Sequence, residues 1–168
     1  EFKKNLFKGK EYDFTLLFNS RNIRRKCISD LLAAHKLFLD TLPKEKADKI
    51  ALVLHTQPID DNGTDLYAVR ELLFGKDSNI IFSDGRIDTP ELNKLYNIAD
   101  VTVLPTSNEG WGLALTEAMM AGKMIIANVT GGMQDQMRFE DENGKWVELT
   151  QEFPSNHFGK YKKCGKWA

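Results

Sequence analysis

Short apolar runs alternate along this chain with stretches in which apolar residues recur every three or four positions. The runs at 14–19 (FTLLFN), 50–54 (IALVL), 80–82, 101–104 and 124–127 are rich in leucine, β-branched and aromatic residues, and they predict five strands. Between them the helical period predicts helices at 26–42, with Ile28, Leu31, Leu32, His35, Phe38, Leu39 and Leu42 inward, and at 65–74, closed by Gly75. Thr89 followed by Pro90 reads as an N-cap and first helical residue, ahead of Leu92, Leu95 and Tyr96. A further helix is expected at 112–121, stopped by Gly122, and a short one after Gly131-Gly132. Asn143-Gly144 reads as a turn before a last strand at 145–149, and 150–168 carries no clear period. Five alternations of strand and helix, with strands apolar on both faces, predict an α/β fold. Its form is a doubly wound, Rossmann-like parallel sheet with helices on both faces. One domain is expected over 1–168, with its core at 14–149 and terminal extensions at 1–13 and 150–168.

Composition changes this picture little. Of 168 residues, 42% are hydrophobic and 28% charged, which is globular rather than disordered. Lys plus Arg is 23 against 24 for Asp plus Glu, a net charge of −1, so general nucleic-acid binding is not expected. Lysines crowd both ends (Lys3, Lys4, Lys8, Lys10; Lys160, Lys162, Lys163, Lys166) and read as solvated tails. Cys27 and Cys164 form neither a zinc pattern nor a disulfide framework, which points to a reducing, cytoplasmic setting. No apolar run reaches the roughly 20 residues of a membrane helix; the best candidate, 118–127, is broken by Lys123. No signal peptide is evident, and the first residue is not Met, as in a piece of a larger protein.

Ligands of such sheets sit beyond the carboxyl ends of the strands. After the first strand no glycine motif for a dinucleotide stands; Arg21, Arg24, Arg25 and Lys26 do. Cations beside a helix start fit a phosphate site, whereas a purely solvated basic helix start would oppose the helix dipole. After the fourth strand comes Asn108-Glu109-Gly110-Trp111-Gly112-Leu113, with Glu117 further along the helix. The two glycines let backbone approach a ligand, and the amides opening the helix can receive a pyrophosphate. Glu109 and Glu117 can address two parts of one extended ligand, and carboxylates suit paired sugar hydroxyls. Gly131-Gly132 repeats the glycine-rich turn after the fifth strand. Asp60-Asp61 and Glu140-Asp141-Glu142 lack metal-ligand spacing and read as solvated loop charges. His35 reads as packed on a helix face, His55 as facing the ligand side, and Trp111 as a wall of the site. Phe82, Met119, Met120 and Met124 read as core.

The run from Glu109 to Gly122 (EGWGLALTEAMMAG) resembles the E-x7-E signature of family-four retaining glycosyltransferases of GT-B fold. Ala99-Asp100-Val101 and Leu104-Pro105-Thr106-Ser107 resemble that family's lead-in, and Arg21 and Lys26, five apart, match its diphosphate-gripping pair. The resemblance covers about 14–149. Departures are Ser20 for the usual glycine before the arginine, a missing glycine near His55, Met124 for a proline, and Asp135 for a glutamate. The resemblance implies the donor-binding, C-terminal half of a two-domain enzyme that moves a sugar from a nucleotide diphosphate sugar to an acceptor hydroxyl. The acceptor (a glycan, lipid or protein) would be held by an N-terminal domain absent from this chain. The resemblance implies Glu109, Arg21 and Lys26 as catalytic, and Gly110, Trp111, Gly112, Leu113 and Glu117 as donor-binding. It sets the base against 83–87, with Arg86 and Ile87 as candidates. It implies no cofactor and no metal, and a cytoplasmic place that can be peripheral to a membrane. An epimerase or phosphorylase of the same fold, or a non-catalytic nucleotide- or polyanion-binding module, stays open as an alternative.

Overall fold

A computed structural model describes residues 1–75 and 78–137, together with the backbone of short strands at 138–140, 146–148, 151–153 and 161–163. Its helices are α1 (Phe2–Leu6), α2 (Ile28–Asp40), α3 (Lys44–Ala47), α4 (Leu66–Phe74), α5 (Thr89–Ile98), α6 (Leu113–Met120) and α7 (Met133–Gln136). Five strands, β1 (Phe14–Asn19), β2 (Ile50–His55), β3 (Ile80–Ser83), β4 (Val101–Leu104) and β5 (Met124–Ala127), pair in parallel in the order β3-β2-β1-β4-β5. The expected α/β fold is therefore present, and its strand order reverses between β1 and β4, where a crevice opens at the carboxyl ends. β6 (Arg138–Glu140) and β7 (Trp146–Glu148) form a separate antiparallel pair. β8 (Gln151–Phe153) and β9 (Tyr161–Lys163) extend the sheet antiparallel beyond β5. The expected turn at Asn143-Gly144 lies outside the described residues.

Successive strand residues point to opposite faces, and the core divides accordingly. Leu17, Val53, Ile125 and Ala127 pack on one face with Leu95 and Tyr96 of α5, Leu115 and Ala118 of α6, and Met133 of α7. Leu16, Phe18, Leu52, Leu54, Val101 and Val103 pack on the other with Ile28, Leu31 and Leu32 of α2 and Leu66 of α4. Phe7, 2% exposed, joins the first cluster with Phe2, Leu6 and Tyr12 against it, so the segment read as an N-terminal extension is built into the core. His35 is buried between the rings of Phe38 and Phe74, and neither ring nitrogen has a hydrogen-bond partner. Burial pushes its imidazole down to about 4.

Three expectations are corrected. The N-cap of α5 is Asp88, whose carboxylate accepts from Glu91 N at 2.8 Å; Thr89 is the first helical residue and Pro90 the second, where a missing amide costs no hydrogen bond. The basic run does not begin α2. Arg24–Lys26 is a separate 3-10 turn, broken from α2 by Cys27 in the left-handed region at φ 55°. Met120 and Met124 are exposed rather than core: Met120 faces away from the sheet, and the face of β5 opposite α6 leaves Met124 and Ile126 uncovered beside an apolar groove against α2.

Candidate functional site

Two loop junctions fix the crevice. Asn22, buried at the end of β1, donates to the carbonyls of Pro58 and Thr64 and accepts from Thr64 N, which ties the β1–α2 loop to the β2–α4 loop. The Arg25 carbonyl accepts from Ser107 N at 2.8 Å and Thr106 Oγ1 at 3.1 Å, which ties the same loop to the one after β4. A third contact involves the glycine pair. A Cβ on Gly131 would lie 1.9 Å from the Glu109 carbonyl oxygen, and one on Gly132 2.0 Å from that of Gly110. Only glycine lets these two backbones touch, and Gly132 N donates to Glu109 O at 3.2 Å.

These ties bring residues far apart in sequence onto one carboxylate. Glu109 is 8% exposed; Lys26 Nζ donates to its Oε1, and Arg25 Nη1 donates to Oε2 at 3.0 Å. Burial disfavours the charge on Glu109, but the hydrogen bonds from Lys26 and Arg25 outweigh it and hold the carboxyl below its ordinary value. The basic turn after β1 is thereby answered by an anion from another loop.

Lys26, Glu109 and Glu117 line one cleft of about 450 Å³ at the ends of β1 and β4, with Asn19, Ser20, Trp111, Gly112 and Leu113. α6 opens from Gly112 at φ 85°. Among the described residues no group accepts from the amides of Trp111, Gly112 or Leu113, so the start of α6 presents free donors. Trp111 is half-exposed at the rim, its Nε1 donating to Thr116 Oγ1 at 3.0 Å. Across the floor, Tyr96 Oη donates to Glu117 Oε2 at 2.7 Å.

A second cleft of about 340 Å³ shares Asn19 and Ser20 with the first and is lined by Arg21, His55, Thr56, Gln57, Gly85 and Arg86. Arg21 sits here, turned from Lys26 into a two-point ion pair with Asp60 at 2.7 and 3.1 Å. Arg21 and the Asn62 amide hold Asp60 below the usual carboxylate range, so the reading of Asp60 as a plain solvated charge is corrected. His55 Nδ1 lies 2.8 Å from Ser83 O. Two expected ligand contacts fall outside both clefts. Ile87 is drawn into the core face under α5, as its apolar side chain favours, and Gly110 turns its carbonyl toward Gly132. Asn19 lines both clefts; Arg25, named with the basic run, reaches the site through Glu109, and Tyr96, read from the sequence only as an inward helix residue, reaches it through Glu117.

A family model described as Glycosyl transferases group 1 matches residues 1–152. The chain belongs to the group 1 glycosyl transferases. The fold of this group 1 glycosyl transferase domain also recurs among solved structures. The C-terminal domain of the group 1 family protein LpcC from Francisella tularensis superposes with a TM-score of 0.63 at 24% identity, covering 86% of this chain and 73% of that one. Sucrose-phosphate synthase from Thermosynechococcus elongatus matches with a TM-score of 0.60 at 29% identity, over 74% of this chain and 30% of that one. In sequence, an uncharacterised glycosyltransferase of Methanocaldococcus jannaschii is 38% identical over 63 residues, 38% of this chain and 16% of that protein. The chain thus spans less than a fifth of that curated relative's length. Among the described residues no helix of this glycosyl transferase domain is long and apolar enough to cross a membrane.

Proposed function

We propose that this domain is the donor-binding half of a retaining glycosyltransferase that moves a sugar from a nucleoside diphosphate to an acceptor hydroxyl. The observation that carries the proposal is the convergence of Lys26, Glu109, Glu117 and the free amides at the start of α6 on one cleft at the sheet's switch point. In this reading Lys26 and the amides of Trp111, Gly112 and Leu113 receive the diphosphate, joined from the adjoining cleft by Arg21 once it parts from Asp60. They stabilise the negative charge that grows there as the bond from sugar to phosphate breaks. Glu117 accepts from the ribose hydroxyls. Glu109 meets the donor sugar, where its charge favours the cationic character of the sugar in the transition state. The base lies toward the second cleft and Arg86. No metal is asked of the site. The acceptor is held by another part of the full-length protein.

The test is a thermal-shift series with UDP, GDP, ADP and NAD, with Glu117→Ala as control. A ligand at 100 times its dissociation constant adds about 2.7 kcal/mol, roughly 5–11 °C for a chain of this size. The expected result is a shift with one nucleoside diphosphate that Glu117→Ala abolishes. Equal shifts in wild type and variant, or none with any diphosphate, would overturn the assignment of the cleft.

A further inference from the structure

Glu117 does not stand alone on the cleft wall. Its Oε2 accepts from Tyr96 Oη at 2.7 Å and from Asn19 Nδ2 at 3.2 Å, and Asn19 Nδ2 donates in turn to Tyr96 Oη at 2.9 Å. The three side chains come from β1, α5 and α6, so the network spans the crevice floor. Tyr96 is 2% exposed, with its ring in the core cluster beside Leu95 and Leu115. A phenylalanine would fill that place as well; the hydroxyl is explained by its partners. Burial, aided by Glu117 and opposed by the Asn19 hydrogen bond, pushes the Tyr96 phenol above the usual tyrosine range, so it keeps its proton. Asn19 supplies a donor to Oη, and the proton of Oη points to Glu117 rather than to the Ala114 carbonyl, which is further away at 3.3 Å. Oε2 is thereby taken by two donors, while Oε1 has no partner among the described residues. A carboxylate on a helix can rotate; two donors fixed to one oxygen hold it in a single orientation.

We propose that Tyr96, backed by Asn19, is a positioning residue that aims the free oxygen of Glu117 at the nucleotide's ribose hydroxyls and so sets a preference for ribo- over deoxynucleotides. The inference rests on the donor-site reading above.

The test is calorimetric titration of the full-length protein with whichever of UDP, GDP and ADP it binds best, and with the 2′,3′-dideoxy counterpart. Wild type, Tyr96→Phe and Asn19→Leu are compared. The expected result is about a tenfold loss of affinity for the ribonucleotide in Tyr96→Phe, the scale of one hydrogen bond to a charged group. The dideoxy form should bind as it does to wild type, so the preference collapses. Asn19→Leu should shift the same way by less, and it carries the test if Tyr96→Phe does not fold. A merely structural role weakens both nucleotides equally and leaves the preference intact; that result, with a discriminating wild type, overturns the inference alone. A wild type that binds none of the three overturns the donor-site reading, and one that binds both forms equally overturns the ribose role of Glu117.

Discussion

Adding one methyl group at Gly132 tests how the glycine pair shapes the site. Gly132 has φ −64°, so its backbone accepts alanine without torsional strain. The obstacle is contact: the new Cβ would stand 2.0 Å from the Gly110 carbonyl oxygen and 3.2 Å from Trp111 Cα. Side-chain carbons keep at least 3.0 Å from other atoms, so one backbone must retreat by about 1 Å in a close-packed region. The backbone that moves carries Glu109, because Gly132 N is bonded to Glu109 O. Overpacking of this kind costs about 2 kcal/mol, a fall in Tm of roughly 4–8 °C. A displacement of about 1 Å at a catalytic group costs on the order of 100-fold in rate. Gly122→Ala is the matched control: its φ of 65° makes alanine cost about 1–2 kcal/mol, but nothing lies within 4 Å and it is outside the cleft. Calorimetric melting and sugar transfer by the full-length protein give the two readouts. Gly132→Ala should lose both stability and activity, Gly122→Ala stability alone. If the two variants lose activity equally, or Gly132→Ala matches wild type, the backbone contact does not shape the site.

Two further predictions concern pH. The folded value of His35, about 4 against 6.5 unfolded, means the unfolded chain takes the proton first. Stability should therefore fall by about 3 kcal/mol as pH drops from 7 to 4. His35→Leu should remove that part of the slope in urea unfolding; an unchanged slope would refute the burial reading. Glu109 lies below its unfolded 4.5 when folded, so its pairing contributes fully above pH 4.5 and is lost as pH falls through the lower folded value. Glu109→Gln should flatten unfolding curves in that acid range and leave the slope between pH 5 and 7 unchanged.

The central strands were legible because both their faces are buried: Leu16 to Phe18 and Ala51 to Leu54 leave no polar residue to interrupt the run. α1 and α3 were not, since helices of five and four residues are too short to display a period. Asp88 was hidden by the more conspicuous Thr89-Pro90 beside it. Lys26, Glu109 and Glu117 could be named from a motif. Their partners could not, because Arg25 meets Glu109 across 84 residues and Asn19 meets Glu117 across 98, distances at which spacing carries no signal. Arg21 was named, but its engagement with Asp60 depends on Asn22 fastening two loops together. Ile87 was misplaced because adjacency to a ligand-side segment does not say which way a side chain turns.

Three of the four cations at the mouth of β1 are already matched among the described residues. Arg21 faces Asp60, and Arg25 and Lys26 share Glu109. A diphosphate arriving here would therefore enter by exchange, displacing carboxylates from guanidinium and ammonium groups rather than filling an uncompensated positive hollow. Its hold on the site is then a difference between two similar attractions, and its departure is helped by anions waiting to return. A cleft of this kind would retain a spent diphosphate weakly, as the proposed donor site, emptied after each transfer, would require.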